Sequence, residues 1–288
     1  MSFAITGMRK KLLALCATLP LACGNAGACT LFGVAGREAS GRGPIVMKNR
    51  DREDTGRQEA ALSTGTGYAY FALAVRGGKS PGVKAGVNEK GLTVLTASVS
   101  SLPARYLRAV PRTHALAAKL LRACATVDEA AASPLLRGPA FLVLADTSSI
   151  AYVEVPPEGA PVVRKVTSGH VAHTNHYLDL PAFNRKGAPD DGSHVRLARV
   201  SELLGAPGRP LAYADLKRIS LDRNAGPDKS LFRTGSAPDK PRTLAVWCTD
   251  YSDPASPRVE LWLKDGAPVS VPLSTLFSRQ APAAPKKD

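Results

Sequence analysis

Apolar runs of strand length come in blocks rather than alternating with helices, and this order restricts the fold more than any other feature. Runs at 29–35, 45–49 and 68–75 precede a pair at 83–88 and 92–99 that reads as a hairpin around Glu89-Lys90-Gly91. Leu116, Leu120 and Leu121 then take up helical spacing within 111–125, and a short second helix is predicted over 127–132 with Thr126 as its cap. Strands follow at 141–145, 150–155 and 162–166, with 171–175 continuing that sheet. Amphipathic helices at 195–204 and 213–219 and a strand pair at 244–249 and 259–263 close the pattern. A doubly wound parallel sheet requires strict strand–helix alternation. The observed order instead predicts an α+β architecture: two mostly antiparallel sheets flanked by helices. With 44% hydrophobic residues in 288, the chain can bury a substantial core. No composition shift divides 29–279, so a single domain is expected there. The segment 280–288, rich in Pro, Ala and Lys, reads as a disordered tail.

The first 28 residues read as a signal peptide. Arg9, Lys10 and Lys11 precede an apolar stretch over 12–22, long enough for a signal core and too short to span a bilayer. Ala26-Gly27-Ala28 supplies the small residues a signal peptidase selects. Cleavage after Ala28 predicts an exported protein, periplasmic or secreted, without stable membrane insertion. Losing three cations and no anion brings the formal charge from +14 to +11. The remaining cations are scattered, with no long basic run and no aromatic interleaving, so no nucleic-acid partner is expected. Cys16 and Cys23 leave with the leader, and Cys29, Cys124 and Cys248 stay. In an oxidising compartment Cys124 and Cys248 can pair, which leaves Cys29 as the single thiol.

Cleavage immediately before a cysteine has a chemical consequence. A chain that begins with Cys29 carries a thiol and a free α-amine on one residue. The amine has a reference pKa of about 7.7–8.0, so a sizeable fraction is neutral near neutral pH and can accept the thiol proton. Such a nucleophile needs no separate histidine base.

Five segments follow in order: Cys29-Thr30-Leu31-Phe32-Gly33, Met47-Lys48-Asn49-Arg50-Asp51, Gly86-Val87-Asn88-Glu89-Lys90-Gly91-Leu92, His173-Thr174-Asn175-His176-Tyr177 and Arg196-Leu197-Ala198-Arg199. Their succession resembles the penicillin acyltransferase and choloylglycine hydrolase superfamily of N-terminal-nucleophile hydrolases, and is closest to its acyltransferase branch. The resemblance covers about 29–263. It implies a four-layer αββα sandwich and a hydrolase or acyltransferase acting on linear amide bonds through a thioester, with a small-molecule N-acyl amide as substrate and no cofactor. It implies the nucleophile at Cys29, a carboxylate that holds the α-amine at Asp51, an oxyanion-hole pair at Asn88 and Asn175, and an orienting arginine at Arg196, with Arg199 as the near alternative. Lys48 departs from the arginine of the choloylglycine hydrolases, and Arg50, two residues on, shares its strand face. The resemblance also leaves room for a homo-oligomer. It leaves open whether water or an amine takes the acyl group, and whether signal peptidase or self-cleavage exposes Cys29.

His170, His173 and His176 are spaced by three. Extended backbone sends 170 and 173 to opposite faces, which argues against a zinc site, so no metal is expected. A zinc-dependent amidase through these histidines, and an inactive exported binding protein on the same scaffold, are the rival readings.

Overall fold

The structure is a computed structural model that describes residues 27–53, 56–78, 80–103, 105–106, 115–186, 192–206 and 208–278. The leader core, all of 1–26, and the tail 280–288 lie outside the described residues.

Two antiparallel sheets pack face to face. The first has six strands in the order β10 (Gly169–His173), β1 (Ala28–Ala35), β2 (Ile45–Arg52), β11 (Arg242–Asp250), β12 (Arg258–Leu263) and β13 (Val269–Pro272). The second is a meander of seven: β3 (Arg57–Ser63), β4 (Tyr70–Arg76), β5 (Gly82–Asn88), β6 (Thr93–Ala97), β7 (Ala140–Ala145), β8 (Ile150–Val155) and β9 (Val162–Val166). Side chains alternate along each strand between the two faces. Leu31, Val46, Leu73, Val87, Phe141 and Trp247 therefore meet between the sheets. Tyr70, Leu92 and Leu142 face outward onto α1 (Leu116–Ala123) and α2 (Val127–Ala131). On the other side Phe32, Ile45 and Met47 face α3 (Ser193–Gly205) and α4 (Tyr213–Ser220). The result is the αββα sandwich. Full burial of each large apolar side chain contributes roughly 1.5–3 kcal/mol.

Most elements fall where the sequence places them, and Thr126 caps α2 by accepting a bond from Glu129 N at 3.2 Å. Three differences stand out. Strand β3 went unread because it is a sheet edge: its polar, half-exposed pattern, with Leu62 48% exposed, carries no core signal. Strand β10 does not continue the sheet of β7–β9. Gly169, at φ 129°, turns the chain across the sandwich, and β10 pairs with β1 on the six-stranded sheet. Finally, the expected Cys124–Cys248 disulfide is absent, and both are free. Cys124 packs under α1 and Cys248 under α3 and α4, so both sheets stand between them.

Candidate active site

Cys29 is the second residue of β1, and the register sets what surrounds it. Arg50 lies directly opposite Cys29 on β2, and Ala28 opposite Asp51. Side chains of directly paired residues share a face, and the diagonal neighbours two residues away are still within reach of long side chains. Lys48, Arg50 and Arg52 therefore line the inter-sheet face of β2 beside the thiol, whereas Asn49 and Asp51 point the other way. Asn49 donates to the Ser220 and Leu231 carbonyls, both at 2.7 Å, under the helices.

Lys48 Nζ lies 3.8 Å from Cys29 Sγ and also donates to the Thr96 carbonyl at the end of β6. Arg50 Nε donates to Gln58 Oε1 at 2.6 Å. Burial by itself would push the Cys29 thiol up. Lys48, Arg50 and Arg52 together outweigh burial and the opposing charge of Asp51, and hold the thiol below its ordinary value. The same burial brings Lys48 down to about 8 and Arg50 to about 10.

Asn175 follows β10 after one residue, Thr174. Its backbone N–H and the Thr174 hydroxyl bond Ser193 Oγ and the Ser193 carbonyl, at 3.0 and 3.1 Å, at the start of α3. From that anchorage its carboxamide spans the junction before Cys29. Oδ1 accepts Cys29 N at 2.8 Å, and Nδ2 donates to the Gly27 carbonyl at 3.2 Å and the Ser98 carbonyl at 2.8 Å. Behind it, Glu154 Oε1 meets His173 Nε2 at 2.9 Å. Glu154 also accepts from the backbone of Leu178, Asp179 and Leu180, which fixes the segment that carries Asn175.

Arg196, one turn into α3 and fully buried, donates to the Cys29 carbonyl at 2.7 Å, Thr30 Oγ1 at 3.0 Å and Asn175 Oδ1 at 3.0 Å. Arg199 is turned away, paired with Asp222 at 2.8 Å and Glu202 at 3.0 Å. Asp51 is fully buried. Its Oδ1 accepts Thr243 Oγ1 at 2.8 Å, while its Oδ2 has no hydrogen-bond partner among the described residues. Burial raises the Asp51 carboxyl, against the pull of Arg196, Arg233, Thr243 and Lys48.

The structure thus hydrogen-bonds Cys29, Asn175 and Arg196 to one another, places Asp51 opposite Ala28 with its carboxyl on the other face from the thiol, and takes Asn88 out. Asn88 ends β5 on the outward face. Its Nδ2 donates to the Leu121 and Cys124 carbonyls at 2.8 and 2.7 Å, and its Oδ1 accepts Lys90 N and Leu92 N at 3.1 and 2.9 Å. Both amide protons are committed to carbonyls at the α1 terminus and Oδ1 to the turn closed by Gly91, which leaves Asn88 no donor for the oxyanion role expected of it. Ser98, ten residues on, is the one at the site, through its carbonyl to Asn175 and its hydroxyl to Arg52 at 3.4 Å. Nothing in the sequence distinguishes it. Arg52 was readable from the two-residue spacing of Lys48, Arg50 and Arg52.

The histidines go to separate partners: His170 to Glu38 at 2.6 Å, His173 to Glu154, and His176 to Ser193 Oγ at 2.7 Å. Among the described residues no helix is long and apolar enough to cross a membrane.

The profile of the family described as acyl-coenzyme A:6-aminopenicillanic acid acyl-transferase matches residues 38–267. No curated protein sequence matches the chain. Among solved structures, two variants of conjugated bile acid hydrolase from Clostridium perfringens superpose with TM-scores of 0.55 and 0.57 at 11% and 12% identity, each covering 85% of this chain and 93% of the other. An N-acylethanolamine-hydrolyzing acid amidase ortholog from Caenorhabditis elegans superposes at 0.54 and 14% identity, covering 78% and 94%. At these identities the likeness is one of fold.

Proposed function

From membership of the acyl-coenzyme A:6-aminopenicillanic acid acyl-transferase family, to which this chain belongs, we propose that it is an amide hydrolase or acyltransferase whose nucleophile is Cys29 at the front of the mature chain. The observation that carries the reading is the grip of Asn175 on both sides of the 28–29 junction, on Cys29 N and on the Gly27 carbonyl. When residues 1–28 leave, Cys29 N becomes an amine still facing Asn175 Oδ1. One Asn175 Nδ2–H loses its Gly27 acceptor and becomes available to a substrate. Removal of Ala28 also opens the ground opposite Asp51, whose unpartnered Oδ2 is suited to receive the new ammonium. Export through the leader is part of the same proposal.

In this mechanism Cys29 sulfur attacks the amide carbonyl, and the α-amine takes the thiol proton. Asn175 Nδ2 donates to the developing oxyanion, a contribution of about 2.7–4 kcal/mol for a donor of this kind. The C–N bond breaks as the α-ammonium passes its proton to the leaving amine, and a thioester remains on Cys29. Water then attacks with the α-amine as base, and the C–S bond breaks to release a carboxylic acid and restore the thiol. A second amine in place of water gives acyl transfer. Arg196, held to the Cys29 carbonyl and to Asn175 Oδ1, keeps nucleophile and donor in register.

The test joins two measurements. Intact mass and N-terminal sequencing of the exported protein are expected to find Cys29 first. A panel of N-acyl amides, with and without an acceptor amine, is expected to release amine from wild type and none from Cys29→Ala. An extended or trimmed terminus, or turnover without the sulfur, overturns the reading.

A further inference from the structure

Charge around Cys29 exceeds what one thiolate requires. Lys48, Arg50 and Arg52 stand on its neighbouring strand, and a fourth cation comes from the opposite sheet. The register of β4 with β5 slips between Leu73 and Ala74, so that Lys84 forms a bulge. The bulge turns a residue of the wrong parity toward the site. Thr96 joins the two lysines, its carbonyl accepting from Lys48 and its hydroxyl donating to the Lys84 carbonyl at 3.0 Å. Burial and the charges of Arg50, Lys48 and Arg52 press Lys84 down to about 7.

None of the four makes an ion pair with a carboxylate among the described residues. Lys48 is shared between the Cys29 sulfur and the Thr96 carbonyl, and the partners of the other three are neutral: Gln58 for Arg50, Ser98 Oγ for Arg52, and Ser80 Oγ with the Pro81 carbonyl for Lys84. Arg52 Nε is buried with no acceptor among the described residues. Its guanidinium lies against Gly27, since a Cβ there would come within 2.3 Å of Arg52 Cζ and 2.4 Å of Nε. Loss of the leader uncovers this side of the guanidinium. Arg50 is buried and Arg52 and Lys84 are half-buried; cations drawn out of water without counter-ions are costly, and an anion that fills the vacated place offsets the cost.

Resting on the reading of Cys29 as the nucleophile of an amidase, we propose that Arg50, Arg52 and Lys84 form an anion subsite, opened where Gly27 departs, which selects amide substrates that carry a carboxylate. Arg52 offers its unpartnered Nε–H to the carboxylate, and the two other cations set the potential around it.

The test has a chemical arm independent of amide turnover. At pH 6.5, where Lys84 is charged, Cys29 of the processed protein is alkylated with iodoacetate and with iodoacetamide, and the modified peptide is quantified by mass spectrometry against glutathione treated alike. The subsite is expected to raise the iodoacetate-to-iodoacetamide rate ratio at least about tenfold over that of glutathione. In Arg52→Gln and Lys84→Met the ratio falls back toward it. A wild-type ratio equal to that of glutathione overturns the subsite. The second arm compares kcat/KM for an N-acylglycine and the N-acylethanolamide of the same acyl chain, with the charged amide expected to win by a similar factor. Equal kcat/KM overturns the carboxylate preference. An iodoacetate preference with neither amide cleaved leaves the subsite standing and removes the amidase reading.

Discussion

Asn88 and Asn175 are chemically identical side chains with opposite assignments, and a pair of substitutions separates them. At Asn175 one carboxamide proton is committed to Ser98 and the other to Gly27, which the proposed processing removes. Asn175→Ala is expected to cut amide turnover a hundredfold or more, in line with loss of an oxyanion donor worth about 2.7–4 kcal/mol. At Asn88 four hydrogen bonds tie the β5–β6 turn to the end of α1. Asn88→Ala is expected to cost about 2–4 kcal/mol in urea unfolding, with the Cys29 alkylation rate of the folded fraction unaltered. The sequence placed both asparagines in ordered motifs, but a turn asparagine and a donor asparagine look alike until their acceptors are known. Lys48 can be tested through the thiol. A cation 3.8 Å from Sγ favours the thiolate, so its removal must favour the thiol. Lys48→Met is therefore expected to move the inflection of Cys29 alkylation to higher pH; an unmoved or lowered inflection contradicts the assigned role.

At the scale of elements, β2 does most to compose the site, because its alternation sends Lys48, Arg50 and Arg52 to one face and Asn49 and Asp51 to the other. That division was legible in the residue spacing. The bulge in β5 was not, since it arises where β4 and β5 fall out of step, and it delivers Lys84 against the parity of its own strand. Its energetic sign follows from linkage. In the unfolded chain a lysine titrates near 10.4, and in the fold Lys84 titrates at about 7. Between these values the unfolded state binds more protons, so this group's contribution to stability rises with pH. Below about pH 7 the folded protein carries Lys84 charged and bears the full burial cost. Lys84→Met is expected to raise the thermal midpoint most at pH 6 and progressively less toward pH 10. A gain that grows with pH would reverse the assignment.

For the whole molecule, two sheets between two helical layers keep Cys124 and Cys248 in separate compartments, each buried and each a free thiol. Thermal melts of the protein are accordingly expected to be the same with and without reductant, and a reductant-dependent midpoint would contradict this layering. The chain's own order of elements determined that the fold would be an antiparallel sandwich, and the two-residue period of its strands determined which residues of β1 and β2 share a face. Those properties are local: they follow from backbone geometry and side-chain alternation within a few residues. Only tertiary structure decided that β10 crosses to pair with β1, which brings Asn175 to Cys29. Packing likewise decided that Asn88 turns to α1 while Ser98 stands at the site, and that Asp51 keeps one buried oxygen without a partner. These outcomes depend on contacts between residues far apart in the chain, whose pairing is set by the packing of whole layers and leaves no trace in the spacing of neighbours.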